Sequence, residues 1–349
     1  MEWRPIESDF EQLQFKRLLS VAFPQRPGAS FLDDFPVWDL HLQDRRKSEV
    51  LILGGFEGGH LVVAAGLRLT ELMRVGPRPI PVGILGAVCV DPEFRGQGLA
   101  TEVCSQLLAL GDGQGVAATF LWGSEHNLYR RLGFNLCGRQ ITLPMSAALK
   151  PRLSWIRKQE LGGVQTGFTV GVFKKMLERK DGLSLRETDL SWMSAHHGTQ
   201  WFWVGPPDRP NAYLAVGKGI DLQGVVHEYG GDQATLLQLM DWVSALRSDL
   251  SWIGCVESAR SLEFSFDSSQ MDYLCMARIT DPVGLIQGSS KSPLDPFDFS
   301  RVSPLELPAV LFGGPEGCLD EFSQGALDLH HHYRSTLPLP LWLWGLDGA

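Results

Sequence analysis

The chain has 349 residues, with 31 Lys and Arg set against 40 Asp and Glu, for a formal net charge of −9. That excess of acid argues against a nucleic-acid partner, which wants clustered basic residues, and suits a cationic or amine-bearing one. Hydrophobic residues make up 44%, enough for the cores of two ordinary domains with an appendage. No apolar run reaches the roughly 18 residues of a membrane span, and Met1-Glu2-Trp3-Arg4 opens no signal peptide, so the expectation is a soluble cytoplasmic protein without membrane contacts. The six cysteines form no Cys-x-x-Cys pair and read as buried reduced thiols.

In chain order, residues 2–6 read as an edge strand, and 9–23 as a helix with Phe10, Leu13, Phe15, Leu18, Leu19 and Phe23 on one side. Pro24 and Pro27 stop it, and Ser30 caps the next stretch, where Phe31, Phe35 and Trp38 stand among Asp33, Asp34 and Asp39. Asp33, Asp34 and Trp38 are candidates for the mouth of a cationic amine site. Residues 50–56 and 60–70 read as a hairpin around Glu57-Gly58-Gly59.

The apolar run 82–90 is strand-like and ends at Asp91-Pro92, followed by a turn holding Arg95, Gly96 and Gly98 and then a helix over 99–110. A strand that delivers a glycine turn to a helix N-terminus builds a cradle of amides for phosphate. Glycine lets the pyrophosphate approach those amides. No Lys-Ser or Lys-Thr follows the last glycine, and the spacing is not Gly-x-Gly-x-x-Gly, so neither a Walker loop nor a dinucleotide fingerprint is present. The next strand is expected at 117–122, then a short helix with Tyr129 that ends at Leu132-Gly133-Phe134, Gly133 taking the left-handed cap.

The pattern partly recurs. Helices are expected at 170–183 and 187–197, strands at 201–204, 211–217 and 224–229, a helix at 233–246, and strands at 251–256 and 272–279. At the turn equivalent to Arg95–Gly98 stands Glu228-Tyr229-Gly230-Gly231-Asp232, whose carboxylates would repel a pyrophosphate. Residues 287–349 are Ser- and Pro-rich at first, then carry His330-His331-His332, read as surface rather than metal ligands. They finish in an apolar segment with Trp342 and Trp344, expected to dock because fraying ends are normally polar.

Arg95-x-x-Gly98-x-Ala100 resembles the acetyl-coenzyme A signature Arg/Gln-x-x-Gly-x-Gly/Ala of the GNAT N-acetyltransferases, and Tyr129 with Leu132-Gly133-Phe134 resembles that family's second marker. An intact copy, a degenerate copy and a C-terminal extension together resemble the enhanced-intracellular-survival (Eis) branch, as does Arg278 in the run 274–283. The branch usually has a longer, sterol-carrier-like third domain than the segment 287–349 provides. The resemblance implies an α/β (α+β) protein of two GNAT folds in tandem, with mixed, mostly antiparallel sheets flanked by helices. A catalytic domain would span 1–147, a degenerate one 148–286 and the extension with its docked terminus 287–349.

It further implies acetyl-CoA as cosubstrate and no metal. Val88, Cys89 and Val90 would hold the pantetheine, and Arg95, Gly96, Gln97, Gly98, Leu99, Ala100 and Thr101 the pyrophosphate, with Ser124 and Glu125 flanking. Tyr129 would be the acid at the leaving thiolate. The strand 84–90 has no acidic residue, and the branch's base is the chain's own C-terminal carboxylate, here on Ala349. Members of the branch acetylate amines on aminoglycosides and on lysine, so the expected acceptor is an aminoglycoside-like molecule, a polyamine or a lysine peptide. A homo-oligomer stays open. The rival expectation is a non-catalytic acyl-CoA-binding or assembly protein that keeps the fold.

Overall fold

Fourteen strands make two mixed seven-stranded sheets in a computed structural model that describes residues 1–23, 27–42, 49–73, 79–149, 163–265, 269–290, 295–314 and 321–348. The first seven strands are β1 (Glu2–Pro5), β2 (Val50–Glu57), β3 (His60–Leu72), β4 (Ile80–Val90), β5 (Ala118–Leu121), β6 (Asn135–Cys137) and β7 (Gln140–Pro144). The second seven are β8 (Gln165–Thr166), β9 (Gln200–Val204), β10 (Ala212–Val216), β11 (Val225–Gly231), β12 (Ser251–Gly254), β13 (Gln270–Asp272) and β14 (Cys275–Ile279). One sheet runs β1-β2-β3-β4-β5-β14-β6 and the other β13-β7-β12-β11-β10-β9-β8. Read from β8, the second order repeats the first strand for strand.

The repetition includes an exchange. β14, late in the chain, fills the sixth place of the first sheet, pairing Met276 with Leu121 on one side and Cys275 with Cys137 on the other. β7, early in the chain, fills the sixth place of the second sheet, pairing Trp252 with Leu143. The expected strand 272–279 is therefore two strands, which part at Tyr273-Leu274 to enter different sheets. Arg278 of β14 makes a bidentate ion pair with Asp112, at 2.8 and 2.9 Å. This ties the exchanged strand to the helix of the first sheet.

Four helices frame the first sheet. α1 (Asp9–Ala22) starts at a capping box of Ser8 and Glu11 and buries Phe15, Leu18 and Leu19, each such side chain contributing about 1.5–3 kcal/mol. α2 (Phe31–Asp34) is a single turn capped by Ser30. α3 (Leu99–Gly113) buries Val103, Cys104, Leu107 and Leu108, and α4 (His126–Arg130) carries Tyr129. Gly133, at φ +88°, takes the left-handed position after α4.

Several expected elements come out shorter. The helix foreseen over 170–183 is Val170–Met176, because Arg179 turns inward and Gly182 at φ +79° redirects the chain. The helix foreseen over 187–197 is a 3-10 turn, Glu187–Asp189, followed by Leu190–Met193. β12 stops at Gly254 because Cys255 caps a helix, Val256–Ser261, whose Ser258 amide donates to the cysteine sulfur. The C-terminal segment packs tightly, with Leu337, Leu339, Leu341, Trp342, Leu343, Trp344 and Leu346 all buried. Cys89, Cys104, Cys137, Cys255 and Cys275 are buried free thiols, while Cys318 lies outside the described residues. Among the described residues no helix is long and apolar enough to cross a membrane.

Candidate active site

The site grows from the place where two parallel strands part. β4 and β5 pair only at Val82–Ala118, Gly83–Thr119 and Ile84–Phe120, and β4 then runs on to Val90 without that partner. A bulge marks the departure. Pairing with β3 slips between Ala64 and Gly66, and Ala87 adopts φ +53°, rare for a residue with a side chain. Val88 lies in that bulge with Ala87, and Cys89 and Val90 lie beyond it, Val88 and Val90 half-buried and Cys89 buried with its thiol donating to the Ala64 carbonyl. A free strand edge of this kind can take an amide-bearing ligand as an added strand.

Beyond Val90 the chain turns through Pro92–Phe94, and the Arg95 Nε–H donates to the Val90 carbonyl at 3.3 Å, which ties the turn back to its strand. Gly96 and Gly98 sit at φ +77° and +80°, and a Cβ on either would meet no heavy atom within 4 Å. Gly98 is the N-cap of α3 and offers no side chain to its amides. Nothing intrahelical satisfies the amides of Leu99, Ala100 and Thr101 in the first turn, and the helix dipole adds positive character there. Arg95, Gly96, Gln97 and Gly98 are exposed. The turn is open, amide-lined and fit for a phosphate group.

At the end of β5 the chain continues through Trp122, Gly123, Ser124 and Glu125, and the last is the N-cap of α4. Ser124 and Glu125 are exposed. Tyr129 is 8% exposed and packs edge-on against Phe134. A Cβ on Gly123 would lie 2.9 Å from its ring and 3.6 Å from its hydroxyl oxygen, so glycine there lets the strand end meet the phenol. Burial, with lesser help from Cys104 and Glu125, raises the Tyr129 phenol well above its ordinary value. It keeps its proton at every physiological pH.

The second sheet has the same bulge and a different tenant. β11 pairs with β12 only at Val225 and Val226, and pairing with β10 slips between Ala215 and Val216, opposite His227. Into that gap comes the chain's own C-terminal segment, the Gly345 amide donating to the His227 carbonyl at 3.2 Å and Trp344 standing edge-on to Tyr229. The helix that follows β11, Gln233–Leu246, is capped by Asp232, whose carboxylate accepts from the Thr235 amide and hydroxyl. Its leading amides therefore already have an anion. Glu228 is not at the turn but inside β11, fully buried against Arg179 and the Tyr213 hydroxyl.

Arg179 is the hub of that region. It reaches Glu228, the Leu183 carbonyl and Asp347, and Asp347 also accepts from the Leu183 and Trp344 amides. Burial pulls the guanidinium down, but Asp347 and Glu228 outweigh it and raise it. Glu228 is pushed up to about 8 by burial, Arg179 pulling it down and Asp347 pushing it further up. Arg179 faces two buried carboxyls, and Glu228 is the one that burial holds in its protonated form at neutral pH. Lys218, 3% exposed, lies nearby and is lowered to about 7 by burial against the opposing pull of Asp347 and Asp34.

The acceptor mouth drawn from sequence is corrected. Trp38 is wholly buried, its ring under β3 where a Cβ on Gly66 would stand 2.3 Å away. The 3-10 turn Pro36–Trp38 folds it inward because the glycine leaves a slot. Asp33 spends its carboxylate on the Ser30 amide at 2.6 Å, and Asp34 is 4% exposed beside Gly219. Trp38 and Asp34 therefore line no open mouth, whereas Asp33 stays half-buried at the surface of its capping turn. Ala349 lies outside the described residues. Gly348 is described, and a Cβ on it would touch the Trp122 ring at 3.7 Å, at the end of β5. Lys218, Arg179 and Asp347 were not singled out from sequence. Their signal is faint: a Lys between two glycines, an Arg in a charged run, and an Asp among apolar terminal residues.

Residues 2–137 match a family model described as "Acetyltransferase (GNAT) domain". The amino-terminal part of this chain is a GNAT acetyltransferase domain. Solved structures agree on the fold. A GCN5-related N-acetyltransferase from Kribbella flavida is 16% identical at a TM-score of 0.58, over 84% of this chain and 74% of that one. Eis1 from Mycobacterium abscessus is 14% identical at a TM-score of 0.57, over 89% of this chain and 82% of its own. A GCN5-related N-acetyltransferase from Anabaena variabilis is 15% identical at 0.55, over 84% and 76%. No curated protein sequence matches the chain. The bulged β4, the glycine turn, α3 and Tyr129 all fall inside the GNAT domain.

Proposed function

We propose that the chain is an acetyl-CoA-dependent N-acetyltransferase that acts on a primary amine of a cationic small molecule or a lysine, within a ternary complex. The observation that carries this is the uncapped Gly98 turn at the end of a strand that has left its partner, against the capped and occupied equivalent in the second sheet. Residues 1–147 would bind the coenzyme. The unit 148–286 would not, and 287–349 would lie across both.

In the proposed reaction the pantetheine amides pair along Val88, Cys89 and Val90. The pyrophosphate sits over Gly96, Gln97, Gly98, Leu99, Ala100 and Thr101, with Arg95 nearby and Ser124 and Glu125 on the far bank. An amine freed of its extra proton attacks the acetyl carbonyl carbon, a C–N bond forms, and the C–S bond breaks as the intermediate collapses. The electron pair leaves on sulfur, and Tyr129 donates its proton there. The surroundings that raise the phenol also raise the proton affinity of the departing sulfur, so the transfer is not lost to their difference in ordinary acidity. The ammonium's extra proton goes to the carboxylate of Ala349 before attack, directly or through a water, and the second proton, shed by the nitrogen as the amide forms, returns through solvent to the Tyr129 phenolate. A Cβ on Gly348 would stand 3.7 Å from the Trp122 ring, at the end of β5, which supports the reading.

The test is thiol release from acetyl-CoA with polyamines, aminoglycosides and lysine peptides, in the wild type and in Tyr129→Phe. Turnover with at least one amine is expected, and Tyr129→Phe should cut it by about 10²–10⁴-fold while acetyl-CoA still binds. Acetyl-CoA binding without transfer to any member of the panel would favour the non-catalytic acyl-CoA-binding alternative.

A further inference from the structure

We propose that Cys137 and Cys275 are a redox pair that closes to a disulfide on meeting a small disulfide oxidant, stapling the exchanged strand β14 to its edge neighbour β6. The two are direct partners across β6 and β14. Their sulfurs stand 3.8 Å apart, and one thiol donates to the other. Directly opposite residues of an antiparallel pair have Cα atoms about 4.5–5.5 Å apart and side chains on one face. A disulfide accepts Cα separations of about 4.4–6.8 Å, so the backbone is already in range. Rotation about the two Cα–Cβ bonds then brings the sulfurs to their bonding distance of about 2.05 Å. Other thiols are turned elsewhere, that of Cys89 to the Ala64 carbonyl and that of Cys255 to Ser258.

Both cysteines are buried, and the helix Leu307–Phe312 lies over their two strands. Burial, reinforced by Cys137, raises the Cys275 thiol well above its ordinary value. In the closed sheet the pair is out of an oxidant's reach and rests reduced. β6, however, is the last strand of its sheet and three residues long, and Gly138 follows it at φ +69°. An edge this short opens more readily than the strands behind it. On opening, one thiol loses its proton to water and attacks a sulfur of a low-molecular-weight disulfide. That S–S bond breaks, and one reagent thiolate leaves with the electron pair. The second cysteine, deprotonated in turn, attacks the cysteine sulfur of the mixed disulfide and expels the other reagent thiolate. Two cysteine thiols are oxidised, one reagent disulfide is reduced to two thiols, and the released protons end on the departing thiolates. The closed bond joins residues 138 apart in the chain and holds β14 in the first sheet.

The experiment brings the full-length protein to equilibrium with mixtures of glutathione and glutathione disulfide, from the reduced and the oxidised side, once folded and once in denaturing urea. Free thiols are then blocked with N-ethylmaleimide, and the protein is digested without reductant. Mass spectrometry reads the linked peptide that carries Cys137 and Cys275, lighter by two hydrogens than the sum of its parts. The equilibrium constant for closing should be about 100-fold or more larger in the folded protein than in urea, because the sheet already holds the two sulfurs together. Cys137→Ala and Cys275→Ala should each abolish the linked peptide. A constant no larger in the folded protein than in urea would overturn the proposal. So would a folded protein that keeps both thiols free in excess glutathione disulfide, or one that links Cys137 to any other cysteine. These three results come from the wild type and need no variant to fold.

Discussion

Replacing the two acids around Arg179, singly and together, gives the most discriminating stability experiment on the tail. Arg179 faces Asp347 and Glu228, and all three side chains are almost wholly removed from water. With Glu228 raised to about 8, it holds a proton at neutral pH beside the Arg179 guanidinium. Glu228→Gln keeps that charge state and should cost under about 1 kcal/mol, the scale of one neutral hydrogen bond. Asp347→Asn leaves Arg179 with Glu228 as its carboxyl partner, which can ionise there. The cost reduces to weakened bonds from the Leu183 and Trp344 amides, about 1–3 kcal/mol. The double variant strands Arg179, and should exceed the sum of the singles by about 1–3 kcal/mol.

The sign with pH follows. Glu228 ionises at 4.5 when unfolded and about 8 when folded, so between those values the folded state holds the extra proton and stability falls as pH rises. The slope approaches at most ~1.4 kcal/mol per pH unit, the value for one proton. Lys218 runs the other way, gaining stability from about 7 upward towards its ordinary 10.5, and cancels when wild type and Glu228→Gln are subtracted. Urea unfolding followed by tryptophan fluorescence between pH 5 and 9 measures all four proteins. Additive singles, or a Glu228→Gln cost at pH 7 equal to that of Asp347→Asn, would refute the charge assignment.

Two further outcomes concern the first sheet and the terminus. Gly98→Glu should abolish acetyl-CoA binding in a calorimetric titration, each lost amide–phosphate bond being worth roughly 1.5–3 kcal/mol. The domain should still fold, since a Cβ there meets nothing within 4 Å and the left-handed φ costs only about 1–2 kcal/mol. Residues appended after Ala349 should depress turnover strongly with acetyl-CoA affinity and melting temperature nearly unchanged, whereas Ala349→Gly should be mild; a C-terminally tagged enzyme at full activity would move the search for the base to Glu71, Glu125 or water.

What the sequence showed depended on how local the cause was. The hairpin at Gly58-Gly59, the glycine turn into α3 and the Gly133 cap were legible because neighbouring residues decide them. The helix Gln233–Leu246 was read to the residue because Asp232 caps it and its apolar face is regular. Trp38 was misplaced because its destination is set by a missing Cβ on Gly66, in another element. Glu228 was read as an acid of the turn, but it lies inside β11 because its counter-charge stands on Arg179, far off in sequence and within a charged run. The departure of β14 from its sequence neighbours could not be read at all. Tyr273-Leu274 carries no stronger break signal than many continuous strands, and only the room between β5 and β6 explains it.

The exchanged strands also bear on how the molecule is made and how it can be cut. β5 is finished early in synthesis but waits for β14, some 155 residues later, before its open edge is covered. The second sheet, for its part, borrows β7 from before its own first strand. Closing so long a loop is entropically slow, and an uncovered edge invites pairing with other chains in the meantime. A fragment ending after β7 would expose the flanks of β5 and β6 and carry a strand with no sheet to enter. Boundaries drawn along the sequence therefore do not coincide with the two sheets, each of which takes a strand from the other's stretch of chain.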